Sequence, residues 1–315
     1  MSQGQSTIDP SRRLEPDTLW NRLLEQTQFA LDCGALQPIP TDYEYIEQGD
    51  VRFLVRIVSN LARKAKAKKQ QDDRSQKARK DFNPFLPYEK NLFVTDISPT
   101  HLCLLNKFNV VEHHLLVVTR HFEHQETWLT QSDFEAMQAC LQQIDGLAFY
   151  NGGTEAGASQ KHKHLQLVPL PLMPDGTRLP IETEIDRTPF DGHVGHIPSF
   201  PFRHAIAPLT PDTDAETVLK TYYRLLQAVG LLDGEPTSVE QTAPYNLLAT
   251  REWMFVVPRS KERFDSISVN ALGFAGALLV RDDVQLQRLK LHRPIDILAH
   301  VANMEKTSGT NDRSS

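Results

Sequence analysis

The stretch Gly157-Ala-Ser-Gln-Lys-His-Lys-His-Leu-Gln-Leu-Val-Pro169 places His162, His164 and Gln166 two residues apart. In an extended strand, side chains at i, i+2 and i+4 leave the same face. The spacing therefore predicts a strand over Lys161 to Leu170 that carries three polar groups on one face. Just before it, Tyr150-Asn-Gly-Gly-Thr-Glu-Ala-Gly157 carries three glycines and few bulky groups. Such a segment suits a loop whose backbone amides approach a phosphate closely. A phosphate loop beside a histidine points to phosphoryl or nucleotidyl transfer.

A neutral imidazole attacks phosphorus to form a phosphoramidate, which divides one displacement between two polyanions into two in-line steps. His164, in the middle of the trio, is the candidate nucleophile. His162 is placed to hold a phosphate oxygen or support the geometry. Gln166 can donate its amide N–H to a non-bridging oxygen but cannot transfer a proton. A His-x-His pair on a strand also suits a metal. Here the next residue on that face is Gln166, a poor metal ligand. Metal binding is therefore disfavoured, although His113, His114, His121 and His124 are available elsewhere in the chain.

Leu19, Leu23, Leu24, Phe29, Ala30 and Leu31 predict a helix ending near Cys33-Gly34. Phe53 to Val58 reads as a strand, followed by a basic stretch and a turn-rich exit at Asn83-Pro-Phe-Leu-Pro87. Leu92 to Thr95, His101 to Asn106 and His114 to Thr119 read as strands of an antiparallel sheet. Ser132-Asp-Phe-Glu135 resembles a capping box opening a helix that runs to about Ile144. The proline-rich region from Pro169 to Pro211 is expected to cross the surface between two halves. A helix is expected from Ala215 to Leu231. Asn246 to Arg259 then echoes Asn106 to Arg120, each opening on asparagine and closing on Val-Val and arginine, which hints at a duplication.

The chain has 315 residues, 40% of them apolar and 23% charged, enough to bury a substantial core. Its longest apolar runs are far shorter than the roughly 20 residues of a membrane span, and the first residues carry no basic-then-apolar leader. A cytoplasmic location without membrane association is the expectation. Cys33, Cys103 and Cys140 are widely spaced and predict neither a disulfide framework nor a zinc site. The net charge of −6 argues against general nucleic-acid affinity, yet nine basic residues from Arg63 to Lys80 are compatible with a small polyanionic ligand. Lys64, at the end of a strand, is the better ligand candidate among them. Asn106-Lys107, at the end of another, is placed to hold ribose hydroxyls or phosphate.

Gly157 to Gln166 resembles the active-site signature of the ATP adenylyltransferases, or diadenosine tetraphosphate phosphorylases, in the histidine-triad superfamily. Leu105 to Phe108, His113 to Val118, Phe149 to Gly152 and Val269 to Gly276 resemble family segments in the same order, so the likeness spans roughly residues 50 to 285. The resemblance implies an α/β fold of the α+β type, a histidine-triad-like antiparallel sheet with flanking helices and two related halves. With the polar ends, the basic stretch and the proline-rich region read from the residues, the chain divides into a disordered N-terminus (1–15), a catalytic half (16–180) with a basic loop (63–82), a linker (181–211), a C-terminal half (212–304) and a disordered tail (305–315).

By position, the resemblance makes His164 the nucleophile. It makes Lys64, Asn106, Lys107, Asn151, Gly157, Ala158, Ser159, Gln160, Gln166, Asn270, Ala271 and Leu272 nucleotide-binding residues. Ala277 and Arg281 fall where the family has further substrate contacts, with different residue types. Superfamily hydrolases usually carry a third histidine where this chain has Gln166, and glutamine does not readily activate water. The resemblance therefore implies reversible phosphorolysis of diadenosine tetraphosphate with phosphate to ATP and ADP through an adenylyl-histidine. Release of sulfate from adenylyl sulfate is a side activity of the family. No metal or tightly bound cofactor is implied, Mg2+ entering only with the polyphosphate. Two alternatives stay open: a hexose-1-phosphate uridylyltransferase, whose motif has proline where this chain has Lys163, and a non-catalytic nucleotide-binding protein.

Overall fold

The computed structural model describes residues 18–58 and 83–302. The expected disordered termini (1–15, 305–315) and the basic loop (63–82), Lys64 included, lie outside the described residues. In chain order the elements are α1 (Thr18–Asp32), β1 (Thr41–Gln48), β2 (Val51–Val58), β3 (Phe93–Asp96), β4 (His101–Leu105), β5 (Leu115–Thr119), α2 (Gln131–Leu141), β6 (Gly146–Gly152) and β7 (His164–Pro169). Then follow α3 (Glu182–Asp186), β8 (Phe190–Asp191), β9 (Val194–Gly195), β10 (Ala205–Pro208), α4 (Ala215–Ala228), β11 (Tyr245–Ala249), β12 (Trp253–Pro258), β13 (Arg263–Phe264) and β14 (Ile267–Ser268). The last are α5 (Ala271–Phe274), β15 (Ala277–Val280), α6 (Asp283–His292) and α7 (Pro294–Val301).

As the strand patterns imply, the centre is an antiparallel sheet, here of ten strands in the order β3-β4-β5-β7-β6-β11-β12-β10-β9-β8. All residues of β4, β5, β6, β11 and β12 are buried, because both faces of the sheet are covered. On one face, Leu165 and Leu167 of β7 join Leu19 of α1, Phe134 of α2 and Tyr222 of α4 in one apolar cluster. On the other, Val168 of β7 joins Phe149, Leu248 and Phe255 beneath β2, β15 and α5 to α7. Alternation along β7 thus sends His164 and Gln166 to this second face. There a smaller cluster of Leu102, Leu104, Leu116 and Val118 lies under Phe85. Each Leu, Ile or Phe so enclosed contributes about 1.5–3 kcal/mol relative to exposure.

The strand order reads as a palindrome. The run β5-α2-β6-β7 has the same plan as β10-α4-β11-β12, and the order β5-β7-β6 meets β11-β12-β10 at the β6–β11 junction. Phe149 of β6 faces Leu248 of β11, and these two occupy matching places in their own hairpins, opposite Gln166 and Phe255 respectively. A pseudo-twofold axis therefore passes between them. The string echo is corrected accordingly: the counterpart of the β11–β12 hairpin is β6–β7, not the segment from Asn106 to Arg120.

Four further expectations change. The strand β1 was not expected, because as an edge with mostly exposed or half-exposed residues (Thr-Asp-Tyr-Glu-Tyr-Ile-Glu-Gln) it needs no apolar alternation. The helix α2 starts earlier than the Ser132/Glu135 pair would place it: Thr130 N–H donates to Asp133 Oδ2 at 2.7 Å. Asp133 wins because it is also bound in the core, as described below. The stretch 181–211 is no surface linker. Ile181, Ile185, Ile197, Phe200, Phe202 and Ile206 are buried, and β8 to β10 complete the sheet. Finally, β7 begins at His164, and His162 lies just before it in an isolated bridge with His124.

Candidate active site

The ladder between β6 and β7 runs from Gly146↔Pro169 to Phe149↔Gln166 and stops there. Where the next pair would form, the buried Gln125 side chain intervenes. Its Oε1 accepts from His164 N–H at 2.9 Å, and its Nε2 donates to the carbonyls of Asn151 (3.0 Å) and His164 (3.2 Å). One carboxamide thus replaces the missing ladder bonds and holds the strands apart at the nucleophile. Nothing in the sequence around Gln125 marks this role, because the bridge depends on tertiary placement.

The His164 ring is buried, with Nδ1 2.8 Å from the His162 carbonyl oxygen. A carbonyl only accepts, so Nδ1 carries the proton and Nε2 keeps its lone pair. Burial lowers the His164 pKa to about 4; the His162 carbonyl bond opposes the fall and the His162 ring adds to it. The imidazole is therefore the free base near neutral pH. His162 is engaged at both nitrogens. Nε2 meets the carbonyls of Thr119 (2.8 Å) and His121 (3.1 Å), and Nδ1 accepts from Asn83 Nδ2 at 3.0 Å. Phe85 roofs both rings at 5.6 and 5.3 Å between centroids. The segment expected only as a turn-rich exit therefore covers the site.

Gln166 is half-buried, and its Oε1 lies 3.0 Å from His114 Nε2. His114 Nδ1 in turn lies 3.1 Å from Asn106 Nδ2. Burial lowers the His114 pKa to about 4, the Gln166 bond opposing and His164 adding to the fall. Asn106 is thus brought to the site through His114. Lys107 Nζ pairs with Glu89 Oε2 at 2.6 Å.

On the same face, Asn151 Oδ1 accepts from Asn246 Nδ2 and from Ala271 N–H, both at 2.9 Å. Its own NH2 has no partner among the described residues. The glycine loop makes one tight turn at Thr154–Ala156. Gly157 has φ 92°, and a Cβ there would come within 2.9 Å of Asn270 Cβ and 3.0 Å of Val269 O. Only glycine permits that approach. The expectation that this loop's amides face phosphate changes in detail. The N–H groups of Ala156, Gly157 and Ala158 bond to the carbonyls of Gly153, Thr154 and Gly153. The amides of Ser159 and Gln160 have no partner among the described residues.

From the second half, Asn270 caps α5 through its side chain to Leu272 N–H, so Asn270, Ala271 and Leu272 sit against the loop. Beneath them is Arg259, 1% exposed. Its guanidinium donates to Asn246 Oδ1 (2.6 Å), Lys261 O (2.8 Å), Val269 O (2.9 Å) and Ala156 O (3.3 Å). Burial lowers its pKa to about 9, with Glu262 opposing. A buried cation thus ties the first-half loop to the second half. Ala277 pairs with Leu54, and β15 runs parallel to β2. Arg281 is exposed and follows β15 directly after the pair Val280↔Ile57. Neither Ala277 nor Arg281 has a side-chain contact with His164.

Behind the nucleophile, Lys163 points to the opposite face and is 1% exposed. Its Nζ donates to Asp133 (2.8 Å), Trp128 O (3.0 Å) and Glu123 (3.2 Å), and Asp133 also pairs with His101 at 3.1 Å. Asp133 is held down to about 2: burial pushes it up, and His101 and Lys163 overcome that. Among the described residues, no cluster of three His, Cys, Asp or Glu side chains has metal-binding geometry, and no helix is long and apolar enough to cross a membrane.

A free-base imidazole, an amide donor two residues on and a glycine turn locked against a second-half helix cap suit transfer of a nucleotidyl group. Comparison with known proteins agrees. Residues 9–187 match the Ap4A phosphorylase N-terminal domain, and residues 198–304 match the ATP adenylyltransferase C-terminal domain. The chain is 30% identical over 266 residues to diadenosine 5',5'''-P1,P4-tetraphosphate phosphorylase 2 of Saccharomyces cerevisiae, a match covering 77% of this chain and 80% of that one. It is 31% identical over 204 residues to Protein APA1 of the same yeast, covering 57% and 61%. The crystal structure of yeast Ap4A phosphorylase Apa2 superposes with a TM-score of 0.73 at 25% identity, covering 92% of this chain and 99% of that one. The chain therefore belongs to the Ap4A phosphorylase family of nucleotidyltransferases, with both of the family's domains in one polypeptide.

Proposed function

We propose that this chain converts diadenosine tetraphosphate and phosphate to ATP and ADP, with His164 as the adenylyl carrier. His164 Nε2 attacks an α-phosphorus, the bond from that phosphorus to the bridging oxygen breaks, and ATP leaves with the electron pair. Phosphate oxygen then attacks the phosphoramidate, the P–N bond breaks, and ADP departs. The carrying observation is the Nδ1–H bond to the His162 carbonyl, which leaves Nε2 unprotonated and aimed away from the backbone. Gln166 donates to a non-bridging oxygen as charge builds there. His162, bonded at both nitrogens, has none to spare as a base for water. Asn151, Gly157, Ser159, Gln160 and the Asn270–Leu272 cap line the nucleotide, Arg281 and Ala277 lie at its far end, and Lys64 is a further candidate ligand. No resident cofactor is needed, Mg2+ entering as the polyphosphate salt. Adenylyl sulfate with phosphate is a second substrate pair, and the setting is the cytoplasm.

Incubation with diadenosine tetraphosphate, with and without phosphate, tests this reading. ATP plus ADP forming only with phosphate, and an acid-labile adenylyl group on the protein that His164→Gly lacks, are expected. Products without phosphate, full turnover by His164→Gly, or turnover of sugar nucleotides alone would each overturn it.

A further inference from the structure

Gln166 can serve transfer only if its NH2 faces the substrate, because its carbonyl oxygen would repel a phosphoryl oxygen. A carboxamide has two faces of nearly the same shape, so something must choose between them. Packing does not: the neighbours of Gln166 across the ladder are Leu116 and Phe149. The choice falls to His114, a diagonal cross-strand neighbour 3.0 Å away. We propose that His114 is a positioning residue for adenylyl transfer, donating Nε2–H to Gln166 Oε1 and so turning the Gln166 amide N–H groups toward the phosphoryl group.

The chemistry of the neighbours fixes the roles. With its pKa near 4, the His114 ring carries one proton at neutral pH. If Nε2 holds it for Gln166, Nδ1 must accept, and Asn106 Nδ2 lies 3.1 Å from Nδ1 to supply that bond. The Asn106 backbone is itself held by the His114 carbonyl at 2.9 Å, so the pair moves as a unit at the end of the β4–β5 hairpin. Reversing the chain of bonds would put the Gln166 oxygen into the site. A polyanion there disfavours that reversal, and the ring of Phe149, tilted by 48° with its centroid 5.7 Å from that of His114, packs against the imidazole. His114 touches no substrate; it acts through Gln166.

This inference rests on the adenylyl-His164 reading and is separable from it. Six full-length proteins are compared: parent, His114→Phe, Gln166→Ala, the double variant, His114→Gln and His114→Asn, each read by single-turnover formation of adenylyl-enzyme from saturating diadenosine tetraphosphate, by AMP affinity and by melting temperature. His114→Phe is expected to slow adenylylation about 10- to 100-fold, less than the roughly 100- to 1000-fold for outright loss of one transition-state donor because Gln166 is misoriented rather than removed, while AMP affinity changes less than about threefold. In the Gln166→Ala background it is expected to slow the step less than about threefold further, because the route through Gln166 is already gone. His114→Gln, whose amide reaches the Nε2 position, is expected to recover most of the rate, and His114→Asn, one methylene shorter, is not. Independent, multiplying losses, a parental rate in Gln166→Ala, or equal recovery by glutamine and asparagine would overturn the proposal. Should the parent form no adenylyl-enzyme at all, the failure lies with the underlying reading.

Discussion

Three buried histidines make the fold and the chemistry respond to acid over different ranges. His114, His164 and His204 each have a pKa near 4 in the folded chain, with burial the first cause in every case. In the unfolded chain each returns to about 6.5. Between those values the unfolded state binds more protons, so stability rises with pH across the window. It is fully present above about pH 6.5 and is lost as pH falls toward 4. Going from pH 7 to pH 5, each group costs about 1.8 kcal/mol, and the three together about 5.5 kcal/mol. That is a large part of the roughly 5–15 kcal/mol available to a domain. Urea unfolding at pH 7 and pH 5 is expected to show this loss. His204→Gln should remove about one third of it, since His204 Nδ1 bonds the Phe202 carbonyl and Nε2 accepts from Ile197 N–H, leaving no site for a second proton. Catalysis follows a different limb. At pH 5.5 an ordinary histidine is about one tenth free base, whereas His164 remains almost entirely so. Single-turnover adenylylation at pH 5.5 should therefore keep more than about 80% of its neutral-pH rate while the fold is already weakened. Flat stability from pH 7 to 5, or a rate half-point near 6.5, would refute the argument.

Two other substitutions probe the frame around the site. Lys163→Met leaves Asp133 buried without its ammonium partner and is expected to destabilise the chain by about 3–5 kcal/mol, read by calorimetry; a change below about 1 kcal/mol would contradict that role. Gly157→Ala puts a methyl into Asn270 at a positive φ, so AMP binding should weaken at least about tenfold by titration, with stability lowered by about 1–3 kcal/mol. Unchanged affinity would mean the loop does not need this approach.

The chemistry was more legible in the sequence than the frame. His164 and Gln166 declare themselves because a strand's two-residue period is strict and polar groups inside it stand out. The strand β1 and the region around Ile181, Ile197 and Phe202 do not, because an edge strand needs no apolar face and irregular chain can bury isolated side chains without any period. Gln125, Asn83 and His114 act through bonds to residues distant in sequence, which no local spacing encodes. Arg259 was visible as the end of a repeated string, but its burial among carbonyls and the Asn246 amide was not.

The pseudo-twofold sheet carries one more implication. Its register sets His164-Leu-Gln-Leu-Val-Pro169 of β7 against Trp253-Met-Phe-Val-Val-Pro258 of β12, both ending in Val-Pro. The positions of the nucleophile and its amide partner are taken in the second copy by Trp253 and Phe255, 6% and 0% exposed. One repeat kept reactive side chains on that face while the other filled it with aromatic packing and lent Asn246, Arg259 and the Asn270 cap to its twin. The symmetry survives in the backbone and is broken in the chemistry, so each polypeptide should load a single adenylyl group despite its two similar hairpins.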